Sequence, residues 1–300
     1  MSDKSKVTIS TAQSQYASLR RFNLFMGFLH LIQSILMFVL SKESLVDIKL
    51  WLPVIDAQQR TANLQPEKWY SVNLGYTISS FLLISAIAHF VTILPNVYEW
   101  YLKNLKLKVN LIRWFEYAIS SSVMVYVIAI LCGIQDGFLL FMLVVANASM
   151  NLFGAAMEMH NSALRQLSAL KLTGQSDVTK VEMDFDDDKT FRPNWSSFIF
   201  GSFAGLMPWV VMGVYFFVSL DRLGDVENLP QRAKDALNTV RFIFPALFVF
   251  FNLFAINMVL QYKRVWKWKK YIFGEKTYIV LSLLAKSFLA WFIWGGTLRG

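Results

Sequence analysis

Tyr278-Ile279-Val280-Leu281-Ser282-Leu283-Leu284-Ala285-Lys286-Ser287-Phe288-Leu289-Ala290-Trp291 lies within an apolar run from Thr277 to Leu298. A run of that length crosses a hydrocarbon core of about 30 Å, which takes about 20 helical residues. Lys286 stands about 14 Å from the start of this run at the rise of an α-helix, beyond easy snorkelling to the interface. An amine at that depth costs from about 2.5 to over 10 kcal/mol depending on the scale, which makes it a functional candidate by default. It needs a counter-charge or a covalent partner.

Six further stretches have the same character: Phe22 to Leu40, Val72 to Leu94, Leu111 to Ile134, Phe138 to Met157, Phe198 to Leu220 and Val240 to Tyr262. Backbone groups in lipid must be satisfied within the segment, and these runs are too long and too uniformly apolar for barrel strands. The chain therefore reads as an all-α membrane protein, one seven-helix domain over residues 1–300 with no soluble domain and no internal repeat. Composition agrees: of 300 residues, 55% are hydrophobic and 16% charged, too apolar for an ordinary soluble domain. The lone Cys132 excludes an intrachain disulfide. Met1 to Gln15 is polar, so no secretory signal is expected and the first helix directs insertion.

The net charge of +9 does not point to nucleic acid, because the basic residues gather beside apolar runs in the manner of juxtamembrane anchors. Eighteen lysines and arginines fall in the amino-terminal, second, fourth and sixth connecting segments, against eight on the opposite side. The positive-inside rule then places the amino terminus in the cytoplasm and the carboxyl terminus outside. The first loop, Ser41 to Tyr70, is long for a bundle connection and is expected to be structured, as a short hairpin or a partner surface. The acidic run Asp184, Asp186, Asp187 and Asp188 lacks the glycine and terminal glutamate of a calcium loop, so no metal site is expected. Trp266 to Tyr271 alternates aromatic and basic residues, which suits a lipid headgroup interface.

The counter-charge for Lys286 is found in the third run, Arg113-Trp114-Phe115-Glu116-Tyr117-Ala118-Ile119-Ser120-Ser121-Ser122-Val123-Met124. Glu116 reads as the one carboxylate well inside an apolar stretch, about 8 Å from its helix start. The depths of Glu116 and Lys286 then differ by about 6 Å, within the reach of a lysine stem. Ser120 follows Glu116 by four residues and Ser282 precedes Lys286 by four, so each shares a helical face with its charge. Arg113, one turn before Glu116, is expected to snorkel to the cytoplasmic interface rather than to neutralise that glutamate. Spacing alone leaves open a structural or transport ion pair as well as a covalent adduct on the amine.

The string from Arg113 to Met124 resembles a heliorhodopsin pattern, and Gly274, Glu275 and Tyr278 through Trp291 resemble that family's retinal-lysine segment. The likeness extends to Asn23, His30, Gln33, His89, Asn147, Ala148, Met150, Gly154, Pro208, Trp209 and the segment Asn257 to Lys263. It implies all-trans retinal held as a protonated Schiff base on Lys286 with Glu116 as counterion. It also implies an inverted topology, which the charge count reaches separately, and a homodimer. His30 and His89, with Ser85 one turn before His89, are implied to form a polar, watered cluster near the Schiff base. Ala118 stands where the family usually has serine and Ser121 where it usually has alanine, so a rearranged hydrogen-bond pattern is expected there. Tyr117, Met124 and Trp209, with phenylalanines of the sixth helix, are candidates to line a polyene, since such sites are mostly apolar with a few placed polar groups.

The expected function is light sensing: a photoreceptor, not an enzyme, in contact with membrane lipid and read out by a cytoplasmic partner. A shortage of intramembrane carboxylates argues against a pump. A light-gated proton or cation conductance along Asn110, His30, His89, Asn147, Asn151 and Glu158 is the alternative. A transporter without chromophore, using the Lys286–Glu116 pair, is the second.

Overall fold

The computed structural model describes residues 3–41, 45–56, 61–173, 191–224 and 231–298. The acidic run Asp184 to Asp188 lies outside the described residues. Along the chain come α1 (Asp3–Leu40), β1 (Leu45–Asp56), β2 (Thr61–Asn73), α2 (Leu74–Val91), α3 (Pro95–Lys106), α4 (Leu111–Leu131), α5 (Gly137–Thr173), α6 (Ser196–Gly224), α7 (Gln231–Tyr262) and α8 (Tyr271–Ile293). Seven of these are long and apolar enough to cross a membrane; α3 is the exception among the helices. The chain is thus a multi-pass bundle, as its apolar runs predict.

The helices differ from the apolar runs mainly at their ends. α5 continues to Thr173 rather than ending near Met157, and α8 begins at Tyr271 rather than Thr277. Charge marks the end of an apolar run, but here the marking residues, Glu158 and Glu275, are themselves buried. α2 starts at Leu74, where Asn73 closes the strand before it and caps the helix by accepting from the Tyr76 N–H, satisfying one of the orphan donors of a helix start. Asn110 caps α4 in the same way through the Arg113 N–H. Pro208 and Pro245 sit inside α6 and α7, which membrane helices tolerate when neighbours satisfy the freed carbonyls.

α1 packs on α2, α4 lies between α2 and α5, α5 packs on α6, and α8 closes the ring against α7, α1 and α2. α6 and α7 meet through aromatic side chains, Trp209 against Phe244, Phe248 and Phe251, and Phe216 stacked on Phe244. The described polar ties of α7 to α8 lie at its carboxyl-terminal end. There Asn257 donates to the Gly274 carbonyl, Gln261 donates to the Tyr271 carbonyl, and the Trp268 indole donates to Asn257. The α3 helix begins on Pro95, favoured in a first turn, and buries Tyr101 and Leu105 against α1 and α8. Arg20 of α1 fastens the turn before it by donating to the Ile93 carbonyl.

The long first loop is an antiparallel hairpin, with Leu45 opposite Asn73 and a register shift between Ile48 and Lys49. Its base is fixed to the bundle: Ile48 is fully buried, the Lys49 N–H donates to the Gln135 carbonyl, and Trp69 lies where a side chain at Gly137 would be. Farther out, Trp51, Leu52, Val54 and Leu64 are exposed. Asp47 accepts from Lys68 and from Ser71.

Candidate functional site

α4 places Arg113, Tyr117, Ser120 and Met124 three or four residues apart, and this spacing turns them toward one stripe of the bundle interior. α8 presents Glu275, Tyr278, Ser282 and Lys286 toward it by the same periodicity. Lys286 Nζ donates to Glu116 Oε1 at 2.7 Å and to Ser282 Oγ at 2.9 Å. The same carboxylate oxygen accepts from Ser120 Oγ at 2.7 Å and from Ser85 Oγ at 2.6 Å. The two charged side chains are only 3% and 8% exposed. Two ions taken out of water this far persist only when paired and hydrogen-bonded, and this site supplies both conditions.

Beside the amine is an apolar cavity of about 260 Å³. Tyr117, Ser121, Met124 and Trp209 line it together with Phe248, Phe251 and Phe254 of α7, and Lys286, Ser282 and Ala285 form part of its wall. Tyr117 donates its hydroxyl to the Tyr278 carbonyl, which fixes the ring 5.4 Å from the amine. Gly154 and Gly205 keep the α5 and α6 side of the cavity open, since a β-carbon would collide with the Trp114 ring in the first case and with Met150 in the second. An amine in the wall of an apolar chamber is a chemical fit for an apolar aldehyde, which would condense with it to an imine with loss of water and would fill the rest by dispersion and burial.

The remaining expected residues divide into separate groups. Ser85 bonds Glu116 rather than His89. His89 Nδ1 is 2.8 Å from Asn23 Oδ1, and the fully buried His30 stacks on His89 with ring centroids 5.5 Å apart. Both His30 nitrogens lack a hydrogen-bond partner among the described residues. Asn147 is on the far side of α4 from this pair, donating to Ser121 and Ser122, and Asn151 donates to Ser121 as well. Ser121 therefore turns away from Glu116 and couples α4 to α5. Asn110 is not in the histidine group either; it belongs to a third cluster at the start of α4.

That cluster corrects two expectations. Arg113 does not snorkel: its side chain is 5% exposed and pairs with both Glu158 and Glu275, at 2.6 Å for the latter. Glu116 is not the one carboxylate inside the bundle, because Glu158 and Glu275 are each 1% exposed. Asn110 completes the set, its backbone N–H donating to Glu158 and its side-chain amide to Glu275. Arg113 also lies over the Tyr278 ring, 3.9 Å from its centroid. The signal was present in the sequence, one arginine among two carboxylates near the ends of apolar runs, but only α5 and α8 running past those ends brings the three together. A small cavity of about 40 Å³, touched by Asn23, His89, Asn110, Arg113 and Glu116, lies between this cluster and the central pair.

A family model described as Heliorhodopsin matches residues 19–298. No curated protein matches the chain.

Proposed function

Because the chain belongs to the heliorhodopsin family, a rhodopsin-type class of retinal photoreceptor, we propose that it is a light sensor carrying all-trans retinal as a protonated Schiff base on Lys286. Glu116 is the counterion in this reading. The observation that carries it is the juxtaposition of one buried amine, one carboxylate at 2.7 Å and an apolar chamber of about 260 Å³ whose wall includes that amine. Retinal, when bound, supplies the absorption of visible light and a bond that isomerises.

The residues supply the rest. Glu116 holds a positive charge at the Lys286 nitrogen and, with Ser120, Ser85 and Ser282, fixes its direction. Tyr117, Met124 and Trp209 give the chamber a mostly apolar wall. His30 and His89, beyond Ser85, are the groups available to take up a proton displaced from the central pair. Ser121, Asn147 and Asn110 act through helix position rather than by touching the charge. The orientation follows from the excess of basic residues at the α3, α5–α6 and α7–α8 ends, with a cytoplasmic amino terminus. A cytoplasmic partner reads the altered bundle, and the chain forms a homodimer, with which the long first loop is compatible.

Cells supplied with retinal provide the test. Wild-type protein is coloured, borohydride under illumination leaves a reduced retinyl adduct on Lys286, and Lys286→Ala gives no covalent pigment. Glu116→Gln displaces the absorption band, to longer wavelength if the imine stays protonated and to the near ultraviolet if it does not. Colourless wild-type protein would favour the ion-pair transporter, and a photocurrent that reverses with the proton gradient would favour the conductance.

A further inference from the structure

Among the described α-helices, α3 is the one that does not span the bundle; it joins the end of α2 to the start of α4. Tyr101 and Leu105 are its buried residues, 3% and 1% exposed. They enter an apolar cluster with Leu19 of α1 and with Tyr271 and Ile272 of α8. Tyr101 is also part of the wall of the small polar cavity of about 40 Å³, together with Asn23, Thr92, Asn110 and, deeper along α4, Glu116. That volume holds about three waters, and the wall is polar enough to keep them. Tyr101 therefore stands between an apolar seal and a polar interior that reaches the central carboxylate.

Little holds this helix in its seat. Its 12 residues are too few for a helix that is stable alone, and its first turn has no side-chain cap. It meets the spanning helices through side chains rather than by close backbone approach. Two hydrogen bonds between its side chains and other elements are both long: the Tyr101 hydroxyl accepts from Asn110 Nδ2 at 3.4 Å, and the Tyr98 hydroxyl donates to the Tyr16 carbonyl at 3.4 Å. Glu275 takes the same Asn110 amide at 2.6 Å, so Tyr101 has the weaker hold on it. The turn before α3 is tied more firmly, because Arg20 donates to the Ile93 carbonyl at 2.8 Å and lies 4.4 Å from the centroid of the Tyr98 ring. A short helix fixed at one end and lightly seated along its length is a segment that opens before the rest of the fold.

We propose that α3 is a lid on the polar cavity, with Tyr101 and Leu105 as its plug and the Ile93 turn as its hinge. Seated, it separates the cavity, and with it Glu116, from water at this end of the bundle. Lifted, it admits water and protons to that carboxylate. The closure itself requires no chromophore. Resting on the light-sensor reading, its role is to set how fast a proton displaced from the central pair exchanges with the adjoining solution.

The test uses the full chain, retinal-free, in maltoside micelles. Thr92→Cys places a reporter thiol in the cavity wall, at a position 5% exposed, and the native Cys132, 3% exposed at the other end of α4, is the internal reference. An ammonium-bearing methanethiosulfonate is added, and mass spectrometry follows each thiol separately. The reporter is expected to react about 100-fold or more slower than the thiol of an exposed Lys103→Cys, as protection by a seated lid requires. Tyr101→Ala accelerates it by about tenfold or more, because the truncated plug loses its burial. Arg20→Gln, which is no part of the cavity wall, accelerates it about threefold by loosening the hinge, and it carries the test where Tyr101→Ala does not fold. Cys132 keeps its own rate throughout. A reporter as reactive as the Lys103→Cys thiol, a rate unmoved in both Tyr101→Ala and Arg20→Gln, or an equal acceleration at Cys132, which would signal general loosening, overturns the proposal. Because no retinal is present, a colourless protein in the pigment assay leaves this result standing.

Discussion

In the retinal-free chain Lys286 is an amine facing a carboxylate, and breaking that pair from one side should cost more than removing it whole. At 2.7 Å and an effective dielectric constant of about 20, two unit charges attract by about 6 kcal/mol. Withdrawing each ion from water costs several kcal/mol, so the pair as a unit is close to balance. Glu116→Gln leaves the ammonium with neutral partners only, the new amide oxygen and the Ser282 hydroxyl, and Lys286→Met leaves the carboxylate with Ser85 and Ser120. Each single change is expected to destabilise by about 3–5 kcal/mol. The double variant is expected to lie at least about 2 kcal/mol above the sum of the singles in stability, because neither charge is then stranded. Reversible unfolding in mixed micelles, titrated with dodecyl sulfate and followed by tryptophan fluorescence, measures all four proteins. Additivity within about 0.5 kcal/mol would refute the claim that the two groups are ionised and in contact.

Three other outcomes follow from the geometry. Arg113→Gln strands Glu158 and Glu275 and should cost about 3–5 kcal/mol in the same assay; a loss below about 1 kcal/mol would mean that the interface, not the carboxylates, satisfies the guanidinium. Gly154→Ala should cost about 1–3 kcal/mol by overpacking against the rigid Trp114 ring and should slow pigment formation, whereas Gly205→Ala, whose β-carbon meets Sδ and Cγ of Met150, should cost less because that side chain can re-pack; equal effects would contradict the packing. In the hairpin, hydrogen bonds from Lys68 and then Ser71 hold the Asp47 carboxyl below its usual range. Its contribution is therefore present above the unfolded pKa and lost as pH falls through the lower folded pKa, and an Asp47 resonance that titrates in the ordinary range by NMR would contradict this.

Much of this was legible in the chain because the two periodicities that matter are local. The spacing of Glu116 with Ser120 and of Ser282 with Lys286 is fixed by the helix itself, so their shared faces follow once the helices are granted. Pairing across the bundle followed from depth alone, since only partners at similar depth can meet. Arg113, Glu158 and Glu275 were misread because hydropathy treats a charge as the end of a span, while here α5 and α8 extend beyond that point and bury charges together. Ser121 and Asn147 show a different limit: the face they occupy depends on the rotation of α4 between α2 and α5. The approach of Trp114 to Gly154 depends on how closely two backbones pack. Neither is written in a single helix.

Mooring α7 at one end has a mechanical consequence. Asn257, Gln261 and Trp268 tether its carboxyl-terminal turns, whereas its contact with Trp209 of α6 is made of edge-on and tilted rings. The described hydrogen bonds of α7 to α8 thus gather beside Gly274, while farther along the helix Phe242 and Phe250 meet α8 through rings. Strain arising next to Phe251 is then met by directional bonds on the Gly274 side and by non-directional packing on the other.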